Sequence, residues 1–426
     1  MKIDIPQPLP SDMPATRARD KEKGFWALNW LRYLLAIYIV LYHTLMGYGQ
    51  IKGTWFQASL EIGNLATSVF FVLSGFLLTY AYVIVKSGRE VNRRNFWVAR
   101  FSTLYPLHLT GLLLSLLPFA QTMIGRGGIV VPLDLDGTAT RMLGHGELIF
   151  GFLATATLMN AWNPLYILFN GPSWSLSALA CFYLVFPFVA PGIYRINKPA
   201  RMLIVLGVIF LLPGAIADLL HLTDIITDGV LHRNPIIRLP LFLAGMVLCV
   251  LHSRANVVGS PAQNAAGVIV VLATVAIAVT LQFMDSRLHV IKNGLYYPAC
   301  LAIIWLCVSI KYKPSETIQY WGTRLGAASL PVFLLHMPFF PVFRAAEKFI
   351  KSLFYTPDWS ISSIVATGRT IDQSVACYPL YLILLTILCV LVQERFVVPL
   401  QAKIRNAMSK RDRLEPVRET SKTGTV

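Results

Sequence analysis

Apolar stretches of about 20 residues recur along this 426-residue chain, separated by short polar loops, and they limit the fold more than any other feature. A helix of that length crosses the roughly 30 Å hydrocarbon core of a bilayer, where every backbone polar group must be satisfied internally. Hydrophobic residues make up 55% of the sequence and charged residues only 14%. The chain therefore reads as all-α, a polytopic membrane helical bundle. Residues 1–24 are mixed in charge and lead into an apolar run too long for a signal-peptide core, with no small-residue cleavage pattern behind it. That run reads as a retained first span. The expected division is a cytoplasmic tail at 1–24, a membrane domain at 25–398 and a basic cytoplasmic tail at 399–426.

Eleven segments are apolar enough to be candidates: 27–47, 64–84, 101–121, 148–168, 174–194, 202–220, 235–252, 265–283, 294–310, 327–343 and 376–393. Counting all eleven, with the N-terminus inside, puts the loop of Arg195, Lys198 and Arg201 and the basic C-terminal tail on the outer face. That conflicts with the excess of Lys and Arg found in cytoplasmic loops. Removing 148–168 resolves the conflict. This stretch and its C-terminal flank hold Asn160, Trp162, Asn163, Pro164 and Asn170-Gly171-Pro172, which suit an outer-face or re-entrant segment. Ten spans with both termini cytoplasmic is the resulting expectation.

The formal charge of +16 does not imply nucleic acid, because the basic residues collect at the tails and alternate loops. From Arg395 to Val426 eight Lys and Arg face three Asp and Glu. The six cysteines have neither metal-ligand nor disulfide-framework spacing and read as packing residues; no metal site is expected.

Within the first apolar run stand Arg32 and His43, eleven residues apart. Eleven residues of helix return to within about 20° of one face and rise roughly 16 Å, so both side chains are expected to face one interior path from two depths. An arginine in a span costs about 2.5–3.5 kcal/mol on insertion scales and usually faces a pathway, ligand or counter-charge. Phe70 to Leu78 (FFVLSGFLL) carries a Ser-Gly pair suited to close helix approach. Arg100, followed by Tyr105-Pro106, offers an anion-pairing cation at an inner helix end. Ser173 to Tyr183 (SWSLSALACFY) brings Trp174, Ser175 and Ser177 to the outer interface. His336 adds a second imidazole in the ninth span, a position where a satisfied bundle histidine is the commoner case.

Taken together and in order, these segments resemble the acyltransferase-3 family of integral membrane acyltransferases, from about Phe25 to Val398. Arg32 and His43 match its Arg-x10-His pair, Phe70 to Leu78 its FFVLSGF segment, and Arg100 with Tyr105-Pro106 part of its Arg-x-x-Arg and Tyr-Pro segment. Ser173 to Pro187 matches its SWSLS segment, and Leu335-His336 its late Leu-His. Two positions depart. The family's second arginine falls at Thr103, and the acid that follows SWSLS falls at Leu179 or Ala180. The departures leave open a divergent active branch, using a group such as Glu147 or other outer carboxylates, or a member that has lost activity.

The resemblance implies transfer of an acetyl or other short acyl group from acyl-CoA to a hydroxyl of a surface glycan or lipid-linked sugar, in the bacterial inner membrane. It implies no permanently bound cofactor, with acyl-CoA, chiefly acetyl-CoA, as co-substrate. Arg32, Arg100 and Tyr105 would then hold the donor, and His43 would act as general base or acyl carrier. Trp174, Ser175, Ser177 and His336 would serve the acceptor or the oxyanion. A transporter also uses intramembrane Arg and His, and is the competing class.

Overall fold

The computed structural model describes residues 25–86, 91–255, 259–356, 360–371 and 374–414. The expected N-terminal tail at 1–24 and the last part of the C-terminal tail lie outside them. Among the described residues ten helices are long and apolar enough to cross a membrane. In chain order they are Phe25–Gly47, Trp55–Ile84, Arg93–Gly125, Gly171–Tyr194, Pro199–Leu219, Ile225–Arg254, Pro261–Phe283, Ile291–Ser309, Glu316–Tyr355 and Val375–Ile404. The chain is an all-α polytopic bundle, and an even number of crossings returns it to the face where the first span began.

The stretch at 148–168 does not cross. Its helix, His145–Ala156, has only 12 residues, and the backbone turns at Leu158 (φ 58°) and Phe169 (φ 64°). Irregular backbone buried inside a protein needs polar partners from the protein itself, and the buried asparagines and serines supply them. Asn160 Nδ2 donates to Ser173 Oγ at 2.8 Å and Asn170 Nδ2 to the Leu334 carbonyl at 2.9 Å. Ser177 Oγ donates to the Leu158 carbonyl at 2.5 Å and accepts from the Ala161 amide at 3.3 Å.

Several helices run past their apolar stretches. The third begins at Arg93, capped by Asn92, whose side chain accepts from the Asn95 amide at 2.9 Å. The ninth runs 40 residues behind a Ser315 cap, roughly 60 Å and about twice the hydrocarbon core. Hydropathy marks only the lipid-facing part of a helix; the caps in the flanks decide where it begins.

The first span packs along the ninth and the second along the sixth. Glycines permit both contacts: a Cβ on Gly326 of the ninth span would stand 2.7 Å from the Asn29 carbonyl oxygen. Arg238, 3% exposed in the sixth span, has a structural task. It donates to the His232 carbonyl at 2.8 Å and to the Lys292 carbonyl at 3.2 Å, at two places where helices break and free their carbonyls.

Candidate functional site

Three cavities lie along the first span, named inner, middle and outer after the expected orientation; the first two meet at Arg32 and the third surrounds His43. The inner one, about 430 Å³, is lined by Phe25 and Arg32 together with Ser74, Tyr80, Arg100 and Tyr183. The middle one, about 250 Å³, shares Arg32, Ser74, Arg100 and Tyr183 with it. The outer one, about 380 Å³, is lined by Ile39, His43 and Met46 of the same span. Thr67, Ser175 and Phe333 form the wall common to the middle and outer cavities. The eleven-residue spacing thus sets Arg32 and His43 in adjoining cavities at two depths.

Arg32 makes no hydrogen bond or ion pair among the described residues, although it faces the two inner cavities. Arg100 stands with it because the third span begins two turns earlier than hydropathy suggests, which carries Arg100 into the bundle. Its Nη2 donates to the Tyr82 hydroxyl at 3.0 Å, its guanidinium lies over the Tyr82 ring at 5.1 Å, and its Nε is buried without a partner. No carboxylate lines any of the three cavities among the described residues. Two half-buried guanidinia side by side without a counter-charge make a site complementary to an anion, since a partly desolvated cation gains from a paired negative charge.

The outer cavity combines a titratable ring with hydroxyl-binding groups. His43 lines it beside Tyr42, whose ring centroid is 4.8 Å away. Asn64, Trp174, Ser175, His232 and Arg233 complete its polar surface. Trp174 packs against the His232 ring at 4.8 Å, so an indole and an imidazole share one wall. Ser175 Oγ donates to the Pro172 carbonyl at 3.0 Å, leaving its lone pairs for the cavity. His336 is fully buried behind His43, with its Nε2 3.2 Å from His43 Nδ1.

Three of the expected residues line none of the cavities: His336, expected at the acceptor or oxyanion, is closed off behind His43, and two others lie elsewhere. Ser177 lines none of the cavities, because its hydroxyl fastens the loop after His145–Ala156 through Leu158 and Ala161. Tyr105 is 38% exposed and lines none of them either, its ring lying 6.3 Å from that of His108. Glu147, considered in place of the missing acid, sits in the outer loop. It forms a bidentate pair with Arg141 at 2.8 and 2.6 Å and accepts from the Gly144 amide at 3.0 Å. Hydrogen bonding to Arg141, with help from that amide, holds its carboxyl down at about 2. A carboxylate so engaged, away from His43's cavity, is not available to orient a base there.

Both departures open onto one space. Thr103 and Leu179 line the middle cavity with Arg32 and Arg100, whereas Ala180 is packed in the core. A cation and an acid at 103 and 179 would therefore face the same volume, and this chain lacks both. Residues that sequence reasoning passed over are Tyr183 beside the arginines, and Asn64, His232 and Arg233 around His43. The signal for the last two was a His-Arg pair just before Asn234-Pro235, where one helix ends and the next begins.

Comparison with known proteins agrees with this geometry. Residues 25–394 match the acyltransferase-3 family model, described as an acyltransferase domain. The acyltransferase MdmB of Streptomyces mycarofaciens is 32% identical over 168 residues, 38% of this chain and 38% of its own length. Protein 2 in the picA locus of Rhizobium radiobacter is 29% identical over 158 residues, 36% of this chain and 75% of its own. The match thus spans well under two thirds of the first relative's length. No solved structure matches the chain. With the family model covering ten-helix bundle and cavities alike, the chain belongs to the acyltransferase-3 family of multi-pass membrane proteins.

Proposed function

We propose that this protein transfers an acetyl or other short acyl group from acyl-CoA, entering from the cytoplasm, to a hydroxyl of a glycan or lipid-linked sugar at the outer side of the bacterial plasma membrane. The observation that carries this reading is the pairing of Arg32 with Arg100, free of any carboxylate, one cavity away from His43. The CoA pyrophosphate is the anion such a pair suits, through charge-assisted hydrogen bonds. The pantetheine arm is long and weakly polar, in keeping with a middle cavity lined by Phe70, Phe71, Leu176 and Phe333.

In this reading His43 acts on the acceptor as a general base. The acceptor hydroxyl passes its proton to the imidazole while its oxygen bonds to the thioester carbon. The carbon–sulfur bond then breaks, and the CoA thiolate takes the proton back from the imidazolium. Trp174 and Ser175, on the same cavity, are the groups assigned in this reading to the acceptor or the developing oxyanion.

The test is acyl transfer by purified protein in lipid vesicles, followed by mass spectrometry of a panel of hydroxyl acceptors supplied with acetyl-CoA. His43→Ala is expected to bind donor normally and to lose at least about 10²-fold in turnover. A folded His43→Ala protein keeping more than about a third of the wild-type rate would exclude the base role. Accumulation of unmodified acceptor inside the vesicles without acylation would point to transport instead.

A further inference from the structure

The contact between His43 and His336 has a direction. Their ring centroids are 5.2 Å apart with planes inclined by 21°, while the two nitrogens are 3.2 Å apart. That centroid separation is close to the largest two imidazoles can have at such a nitrogen contact. The rings therefore meet edge to edge, along the in-plane direction in which ring nitrogens carry N–H bonds and lone pairs.

The donor is identified from the far side of His336. Its Nδ1 lies 3.2 Å from the Val332 carbonyl oxygen. A carbonyl only accepts, so Nδ1 carries the hydrogen, and in a neutral ring Nε2 is then bare. Bare Nε2 accepts from Nδ1–H of His43. With that nitrogen committed, the lone pair of His43 is on Nε2, and His43 lines the outer cavity whereas His336 does not.

We infer that His336 is a positioning residue, which locks His43 in the Nδ1–H tautomer so that Nε2 is presented to the acceptor hydroxyl. The inference rests on the proposed base role of His43 for its consequence, not for its geometry. When Nε2 takes the acceptor's proton, the imidazolium keeps its Nδ1–H bond to His336, and no proton needs to move along the pair. His336 stays neutral and supplies a fixed acceptor for the cation formed beside it. The tenth span ties down the backbone at this position: Tyr381 donates from its hydroxyl to the His336 carbonyl at 3.0 Å.

Two variants separate a tautomer lock from mere packing. His336→Gln keeps an acceptor oxygen toward His43, whereas His336→Leu keeps bulk and removes the acceptor. Nitrogen-15 NMR of histidine-labelled, full-length protein in nanodiscs, with His43→Ala to assign the signal, reads which His43 nitrogen carries hydrogen. The expected result is hydrogen on Nδ1 in the wild type and His336→Gln, and a loss of that preference in His336→Leu. In turnover, His336→Leu should lose at least about tenfold in kcat, part of what general-base loss costs, with donor Kd unchanged and His336→Gln substantially rescuing it. Hydrogen on Nε2 of wild-type His43 would overturn the proposal, as would wild-type kcat in His336→Leu. Because the NMR readout needs no substrate, it stands or falls separately from the acyl-transfer reading.

Discussion

Gly75 of the second span and Gly245 of the sixth meet backbone to backbone. A Cβ on Gly75 would stand 2.0 Å from the Phe242 carbonyl oxygen, and one on Gly245 would stand 1.9 Å from that of Val72. Each glycine thus makes room for the other helix, and Ser74, one residue along, is left facing the inner and middle cavities. The FFVLSGF segment packs through its glycine and lines the site through its serine.

Gly75→Ala or Gly245→Ala is expected to force the two spans apart and cost at least about 1–3 kcal/mol, the usual scale for overpacking. Gly192, with nothing within 4 Å of the added methyl, is the control. Unfolding in detergent, followed by circular dichroism, should show both contact variants destabilised and Gly192→Ala unchanged or slightly stabilised. Wild-type stability of Gly75→Ala would mean that the contact is not close in the membrane.

Donor binding should weaken in Arg32→Ala and in Arg100→Ala by about 1.5–3 kcal/mol each, roughly 10- to 150-fold in Kd, if each removes a charge-assisted contact to phosphate. Arg32→Lys should rescue poorly, because a point charge does not reproduce the bidentate fork. Calorimetric titration with a non-hydrolysable acyl-CoA analogue measures this. Unchanged binding in both alanine variants would leave the arginines without a ligand role.

The shared cavity of Thr103 and Leu179 gives a paired test. Leu179→Glu alone sets a carboxylate among the arginines that the donor needs, and is expected to weaken acyl-CoA binding about tenfold or more by competing for them. Adding Thr103→Arg should restore most of the loss, a coupling that a double-mutant cycle reads directly. Additive effects would show that the two positions do not sense one another.

The Arg141–Glu147 pair should be insensitive to pH over the physiological range. The carboxyl of Glu147 is held at about 2 by Arg141, below its usual value. Its contribution is therefore complete above the unfolded-state value and fades only as pH falls through about 2. Between pH 8 and 5 the pair should not titrate, and limited proteolysis of the hairpin formed by Val130–Pro132 and Thr140–Met142 should be constant. Glu147→Gln should speed that cleavage while leaving turnover within about twofold, since exposed pairs contribute little elsewhere. A large loss of turnover would return Glu147 to the site.

Sequence alone determined the number of spans, the exclusion of 148–168, and the positions of Arg32 and His43 on one helix. Each follows from a local quantity: apolar length, the distribution of Lys and Arg, or 3.6-residue periodicity. Only tertiary structure decided which residues meet. Arg100 joins Arg32 because the third helix starts at Arg93 behind an Asn92 cap. His336 reaches His43 because the ninth span lies along the first, where Gly326 lets Asn29 approach. Ser177, chosen from its motif, is drawn off to the loop at Leu158, whose irregular carbonyl needs a donor inside the protein. Periodicity fixes the face a side chain takes on its own helix, but the partner on that face is set by how closely two backbones can approach, which no single segment encodes.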